Sequence, residues 1–368
     1  MKTFLFLGLG LWPVLRLVLH LFDPKPATTK RVDLRPFERV VLPLWLETFA
    51  LNESRGEFRF RPGQQFGSLY GVVDAAHLLA SVGRLGDLTD AQRDAWKAEI
   101  DSYQVDGGDY AVPSAAPGWQ PWHSSASAAA ALALLDRRPG APTDRCEQLA
   151  AGGAEAWRAE MDPLYDDACY SDKLGGNNIH RCGQRIGSCA AILGYADASR
   201  PFLAWWQDWL VEKTDAATGV LCPAHIPRIQ CVGGAMPTRG VELGFSNASQ
   251  PFAREVLDLT LGLQTSAGAW SDGAADQLGS LTLDGVVQMT RAAAQLGGAY
   301  RWDDARAACR RTLELSAKRL NDARFVMANF GATSHDLPNV VAAAAECARA
   351  FPADVKTDRP WTCCARYV

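Results

Sequence analysis

Three stretches place an imidazole or a carboxylate at the head of a run of small residues: "HSSASAAAALALL" from His123, "SLTLDGVVQM" from Ser280 and "SHDLPNVVAAAA" from Ser334. The polar groups of this kind are His123 and Ser124; His180, Arg181 and Arg185; Arg239 and Glu242; Asp284; and His335 with Asp336. A His–Asp pair can move protons near neutral pH, so Asp284, His335, Asp336, His123 and His180 are the candidate catalytic residues. Arg185 and Arg239 can hold a carboxylate or diphosphate. With Glu242, Trp119, Trp122 and Asp74 they form the candidate binding set. Asp74, together with His77, falls inside the first such run and either faces the same hollow or forms a satisfied core pair. The alternative for the whole set is that these groups cap helices and pair with one another.

Two further clusters invite a metal. One connection carries Cys169, His180 and Cys182, and the next carries Cys222, His225 and Cys231. Cys222-Pro-Ala-His225 has a spacing that metal sites use, whereas Cys169–Cys182 and Cys222–Cys231 would serve equally well as disulfides in an oxidising compartment. In "MDPLYDDACYSD", Asp162, Asp166, Asp167 and Asp172 suit Mg²⁺ with a diphosphate, or a solvated loop. A divalent metal is therefore the one cofactor these residues suggest. Cys309 and Cys347 sit in helical patterns and read as small buried apolar residues.

These groups need a scaffold that gathers helix ends, and the sequence carries a repeat of that kind. Gln104 is followed four residues on by Gly108 and six on by Tyr110; Gln264 has Gly268 and Trp270 at the same offsets. Gly56-Glu-Phe58 and Gly219-Val-Leu221 are weaker copies. One unit of roughly 52 residues, with one marker missing, accounts for the spacing. Before each marker runs an ordinary amphipathic helix, as in "TDAQRDAWKAEIDSY", with Thr89, Ser102 and Asp303 as caps and turns. After it runs a helix of small residues, at about 66–82, 122–136, 182–197, 232–246, 279–296 and 333–350. Helices wet on one face form an outer layer, and slim helices crowded on all sides form an inner one. Six such hairpins are expected to close into an all-α, (α/α)6 toroid, with an open solenoid as the alternative. The marker glycine supplies turn freedom, and its aromatic is expected to plug the gap between hairpins.

Of 368 residues, 48% are hydrophobic and 21% charged, with a net charge of −4, a composition that offers no basic footprint for nucleic acid. From Thr3 to Phe22 the chain is apolar except for Arg16 and His20. It reads as a signal anchor or signal peptide with a linker to residue 30, followed by one domain over 31–368. Basic residues after the segment would leave the domain in the cytosol by the positive-inside rule. The sequons at Asn52 and Asn247 matter only if it is lumenal. Membrane association, through the endomembrane or secretory pathway, is the expectation; an amphipathic helix packed on the domain is the alternative.

Gln104…Gly108-Asp-Tyr110 and Gln264…Gly268-Ala-Trp270 resemble the prenyltransferase/squalene-oxidase repeat of terpenoid cyclases and protein prenyltransferase β subunits. The resemblance covers roughly residues 35–368 and implies an α/α toroid acting on a hydrophobic or isoprenoid-like small molecule in its central cavity. The chain departs from that chemistry at two points. Where cyclases carry a D-x-D-D run, only Asp284 is present; where prenyltransferases bind zinc, Asp284 lacks the following Cys, although His335 stands where the distant His would be. "HRCGQRI" is also one residue short of the C-G-E-Q of complement-like thioester domains. A carbohydrate-active toroid, with Asp284 opposite Glu242 or Asp336, and a non-catalytic binding toroid are the alternatives.

Overall fold

A computed structural model describes residues 30–111, 121–166, 188–193, 201–221, 227–233 and 252–362. Within this range the side chains of 121, 122, 164–166, 230, 231 and 233 are left aside. The chain divides into two units, Met1–Arg31 and Val32–Val368. The Thr3–Phe22 segment lies outside the described residues, among which no helix is long and apolar enough to cross a membrane.

The second unit is mostly helical, and its helices are of two kinds. One kind is α1 (Leu42–Phe49), α3 (Asp90–Asp101), α5 (Asp144–Ala151), α6 (Gly153–Asp166), α8 (Pro201–Lys213), α10 (Ala253–Leu263) and α12 (Trp302–Leu320). Those with charged outer faces bury only a stripe: α3 buries Trp96 and Ile100, and α10 buries Ala253, Val256, Leu257 and Thr260. The other kind is α2 (Leu69–Ser81), α4 (Pro121–Leu134), α7 (residues 188–193), α9 (Arg228–Gly233), α11 (Ser280–Gln295) and α14 (Asp336–Ala350). Every residue of α2 is buried, as are Leu337–Ala348 of α14 and residues 282–290 of α11. Ala and Ser dominate α4, and runs of Ala mark α11 and α14, because a helix surrounded on all sides has little room for long side chains.

The turns show why the repeat carries glycine. Gly56, Gly108, Gly219 and Gly268 all have positive φ, between +71° and +99°, in the region that excludes most other residues. A Cβ at each would strike the next outer helix or its lead-in: Trp96 of α3, Pro142 just before α5, Val256 of α10 and Arg311 of α12. The glycine therefore makes the contact between successive hairpins, and at the first marker the aromatic shares it, as expected, with the Phe58 ring edge to face against Trp96. At the two full markers the aromatic pins its own hairpin together. The Tyr110 hydroxyl donates to Asp101 of α3 while its backbone N–H donates to Ser125 of α4. The Trp270 indole donates to the Thr260 carbonyl of α10, and its ring lies against Gly285 of α11. A rigid ring with one polar atom can bury itself only where that atom finds a partner, and the nearest orphan acceptor is in its own outer helix.

Packing among the second kind runs α4–α2–α14–α11–α9, so α2 and α14, the first and last of them along the chain, touch. The chain ends reinforce this junction. β1 (Val32–Asp33) pairs in parallel with β4 (Val355–Lys356), Asn321 caps Phe37 and Asp33, and the Trp361 indole donates to Glu38. A second small sheet joins β2 (Ala50–Asn52) to β3 (Glu57–Phe58) just before α2. A separate core cluster joins α4, α5, α6, α7 and α8 around Trp157, Phe202, Trp206 and Trp209. It includes a disulfide, Cys146–Cys189, between α5 and α7.

Several expectations shift in detail. The fourth small-residue helix starts at Arg228, and the sixth hairpin carries an extra helix, α13 (Ala323–Phe330), in place of a glycine marker. Thr89 caps α3 through a capping box and Ser102 ends it. Asp303 lies in the first turn of α12, behind an Arg301 cap with positive φ. Cys309 and Cys347 are buried. Asp162 accepts from the Trp209 indole at 2.9 Å and pairs with Lys213, so it ties α6 to α8. The expected pairs Cys169–Cys182 and Cys222–Cys231, and His225, lie outside the described residues or side chains.

Candidate functional site

Three helix heads meet on one side of the molecule. α2 is entered from the loop that follows β3, and Ser68 caps it by accepting from the Gly71 N–H. Gly71 lets the strand cross directly over the first turn, since a Cβ there would run into the Phe58 carbonyl. This crossing holds Tyr70 inward, 2% exposed, with Asp74 one turn later on the same face and fully buried. The head of α4 is moored by Ser124, which donates to the Tyr110 carbonyl, and by Ser125, which donates to Asp109 at 3.0 Å. Those two hydroxyls place His123, which is buried. His335 is the residue immediately before α14, and the Ser334 N–H donates to the Phe60 carbonyl at 2.9 Å.

The side chains join as two pairs. The Tyr70 hydroxyl lies 2.6 Å from His123 Nδ1. His335 Nδ1 lies 2.9 Å from Asp74 Oδ1, and the Ser334 hydroxyl donates to Asp74 Oδ2 at 2.6 Å. The His123 and His335 rings stand edge to face with centroids 6.0 Å apart, and Tyr70 contacts both. Phe60 packs against Tyr70 from the loop side. Asp74 is wholly enclosed, whereas the His335 side chain is 23% exposed, so this imidazole joins the buried acid to the solvent side.

The electrostatics follow from this placement. Burial opposes a charge on His335, but the Asp74 carboxylate, by its charge and its hydrogen bond, and the nearby Asp336 outweigh it and raise the pKa. Burial, with Asp74 four residues away, pushes the Tyr70 hydroxyl well above its ordinary range, so it stays protonated. An imidazole oriented by a buried carboxylate is the base–orienter half of many catalytic constellations.

Of the sequence-derived candidates, His123, His335 and Asp74 come together here. Asp74 pairs with His335 and Ser334 rather than with His77. Asp336 is exposed and accepts from Thr333, so it closes the first turn of α14. Asp284 is buried in α11, and the hydrogen bonds just described do not include it. His180, Arg185, Arg239, Glu242 and Trp119 lie outside the described residues, as does the side chain of Trp122. Tyr70 and Ser334 were missed; the signal was present as Tyr70 and Asp74 four apart on one face of a helix otherwise made of small and aliphatic residues. Among the described residues no three His, Cys, Asp or Glu side chains are grouped to hold a metal.

No family model, curated protein or solved structure matches the chain.

Proposed function

We propose that this chain is a membrane-associated α/α-toroid enzyme that transfers a proton to or from a hydrophobic, isoprenoid-like molecule, with His335 as the acid–base group. The observation that carries the reading is the Asp74–His335 pair, a buried carboxylate holding an imidazole that opens towards solvent. It offers proton transfer to a chain that lacks both the D-x-D-D run and the zinc thiolate of the proteins its repeat resembles.

The ring is supported by the order of contacts. Each marker glycine abuts the next outer helix, and α2 meets α14, which joins the first hairpin to the sixth. The substrate class rests on the Gln-Gly-aromatic turns, and the membrane on the Thr3–Phe22 segment. The carbohydrate reading has less behind it, because Asp336 is exposed at the surface and accepts from Thr333.

The test is turnover of farnesyl diphosphate, of detergent-dispersed squalene and of a panel of sugars, followed by mass spectrometry. The expected result is conversion of a prenyl substrate, reduced by about a hundredfold or more in His335→Asn with the helical circular dichroism unchanged. Turnover of sugars alone, no turnover of any substrate, or an unaffected His335→Asn enzyme would each sink the proposal.

A further inference from the structure

Cys146 of α5 and Cys189 of α7 lie 43 residues apart in the chain and form a disulfide with Cα atoms 5.5 Å apart. That separation falls in the range a disulfide spans without moving the backbone. Both cysteines are fully buried, in the cluster that also holds Trp157, Met161 and Phe202. Cytosolic glutathione keeps thiols reduced, so a structural bond of this kind belongs to an oxidising compartment.

A second feature has meaning only in such a compartment. Asn52-Glu53-Ser54 is an N-x-S triplet with no proline at its centre, the acceptor pattern for an N-linked glycan. The turn between β2 and β3 displays it. On the inner side the Trp96 indole donates to the Glu53 carbonyl and Gly56 abuts Trp96, which fixes the backbone of the turn. Glu53, Ser54 and Arg55 are exposed, and Asn52 is half-buried in extended backbone. The Ser54 hydroxyl donates to Asn52 Oδ1 at 2.8 Å. The hydroxyl that the triplet requires is therefore already on the amide that would be modified. Among the described residues Asn52 Nδ2 makes no hydrogen bond, and it is not enclosed.

We propose that the domain faces an oxidising lumen of the secretory pathway and carries an N-linked glycan on Asn52. The proposal is independent of the proton-transfer reading, since it involves neither Asp74 nor His335. The Thr3–Phe22 segment, read as a signal, supplies the route. The basic residues after it favour the cytosol, but they are outweighed by a disulfide that the cytosol would not maintain. In the transfer, Asn52 Nδ2 attacks the anomeric carbon of a lipid-diphosphate-linked oligosaccharide. A new C–N bond replaces the C–O bond to the diphosphate, which leaves with that bond's electron pair, and Nδ2 gives up a proton to the transferring enzyme. Closing Cys146 onto Cys189 releases two protons and passes two electrons to a disulfide-bearing oxidase of the same compartment.

The test expresses the full chain in cultured mammalian cells, with Asn247→Gln in the background so that the other sequon contributes nothing. Peptides alkylated without reduction are read by mass spectrometry before and after peptide N-glycosidase, which converts a glycosylated Asn to Asp. The expected result is a peptide covering residue 52 that appears only after the glycosidase, with Asp at that position, and a linked pair of peptides carrying Cys146 and Cys189. Ser54→Ala should abolish the glycan, and Ser54→Thr, which keeps the hydroxyl, should retain it. Unmodified Asn52 in protein whose disulfide has formed overturns the glycan assignment. Alkylated Cys146 and Cys189 overturn the lumenal placement. A glycan that persists in Ser54→Ala overturns the role of the triplet. None of these readouts requires turnover, so failure of the proton-transfer reading leaves them unchanged.

Discussion

Replacing Asp74 by Asn keeps the shape of the side chain and removes its charge, which isolates what that charge does. The carboxylate accepts from Ser334 and from His335, both at the head of α14, and so ties α2 to α14. Asn has one acceptor oxygen and can satisfy only one of these donors; its amide must face the other. The loss is one charge-assisted hydrogen bond in a buried setting, about 2 kcal/mol where His335 is protonated. The sign follows from linkage. The folded pKa of His335 lies above its ordinary 6.5, so its stabilisation is complete below that value and is lost as pH rises through the folded pKa. Wild type and Asp74→Asn should therefore differ most at mildly acidic pH, and the gap should narrow above the His335 titration to the cost of the one donor left unsatisfied. In the variant, burial is no longer outweighed and the His335 pKa should fall. The chain has 6 histidines, few enough to follow individually by ¹³C-labelled NMR, with thermal melts across the same pH range. An unchanged His335 titration, or a stability gap independent of pH, would show that Asp74 does not govern this imidazole.

Two other substitutions test the scaffold. Gly107 and Gly108 have nearly equal positive φ, but a Cβ at Gly107 meets open space while one at Gly108 meets the Pro142 backbone. Gly107→Ala should cost about 1 kcal/mol and Gly108→Ala about 3 kcal/mol in urea unfolding, and equal costs would refute the proposed contact between hairpins. Near the C-terminal end of α14, buried Glu346 accepts from Arg349 and from Thr290 of α11 and pairs with Arg291 of α11. Burial works to raise its pKa, but the two arginines and Thr290 outweigh that and lower it. Its stabilisation is thus present above the ordinary 4.5 and is lost as pH falls through the folded value. Glu346→Gln should cost about 2 kcal/mol at pH 7, after allowance for the half-exposed arginines, and less as the pH approaches 4. Melts showing the opposite trend would refute the pairing.

The two kinds of helix were legible because burial leaves a compositional mark. A helix with one wet face must keep charges on it, as "DAQRDAWKAEID" does, while one enclosed on all sides must be slim, as "NVVAAAAECA" is. The glycine markers were legible because a positive φ admits few other residues. Their partners were not, since what a Cβ would strike belongs to the following hairpin, some forty residues away in Pro142 or Arg311. The aromatics divided for the same reason: Phe58 does meet the next hairpin at Trp96, whereas Tyr110 and Trp270 bond within their own.

The site divides along the same line. Sequence alone determined that His123 and His335 head slim helices and that Tyr70 and Asp74 share a face, because these are relations within one helical turn. Which imidazole meets which partner was decided only by the packing of α2 between α4 and α14, 53 residues from one partner and 261 from the other. Hydrogen bonds reach about 3 Å and carry no trace in the spacing of the residues they join. Local periodicity records the conformation of a segment; the chemistry of this cluster depends on where three segments end relative to one another.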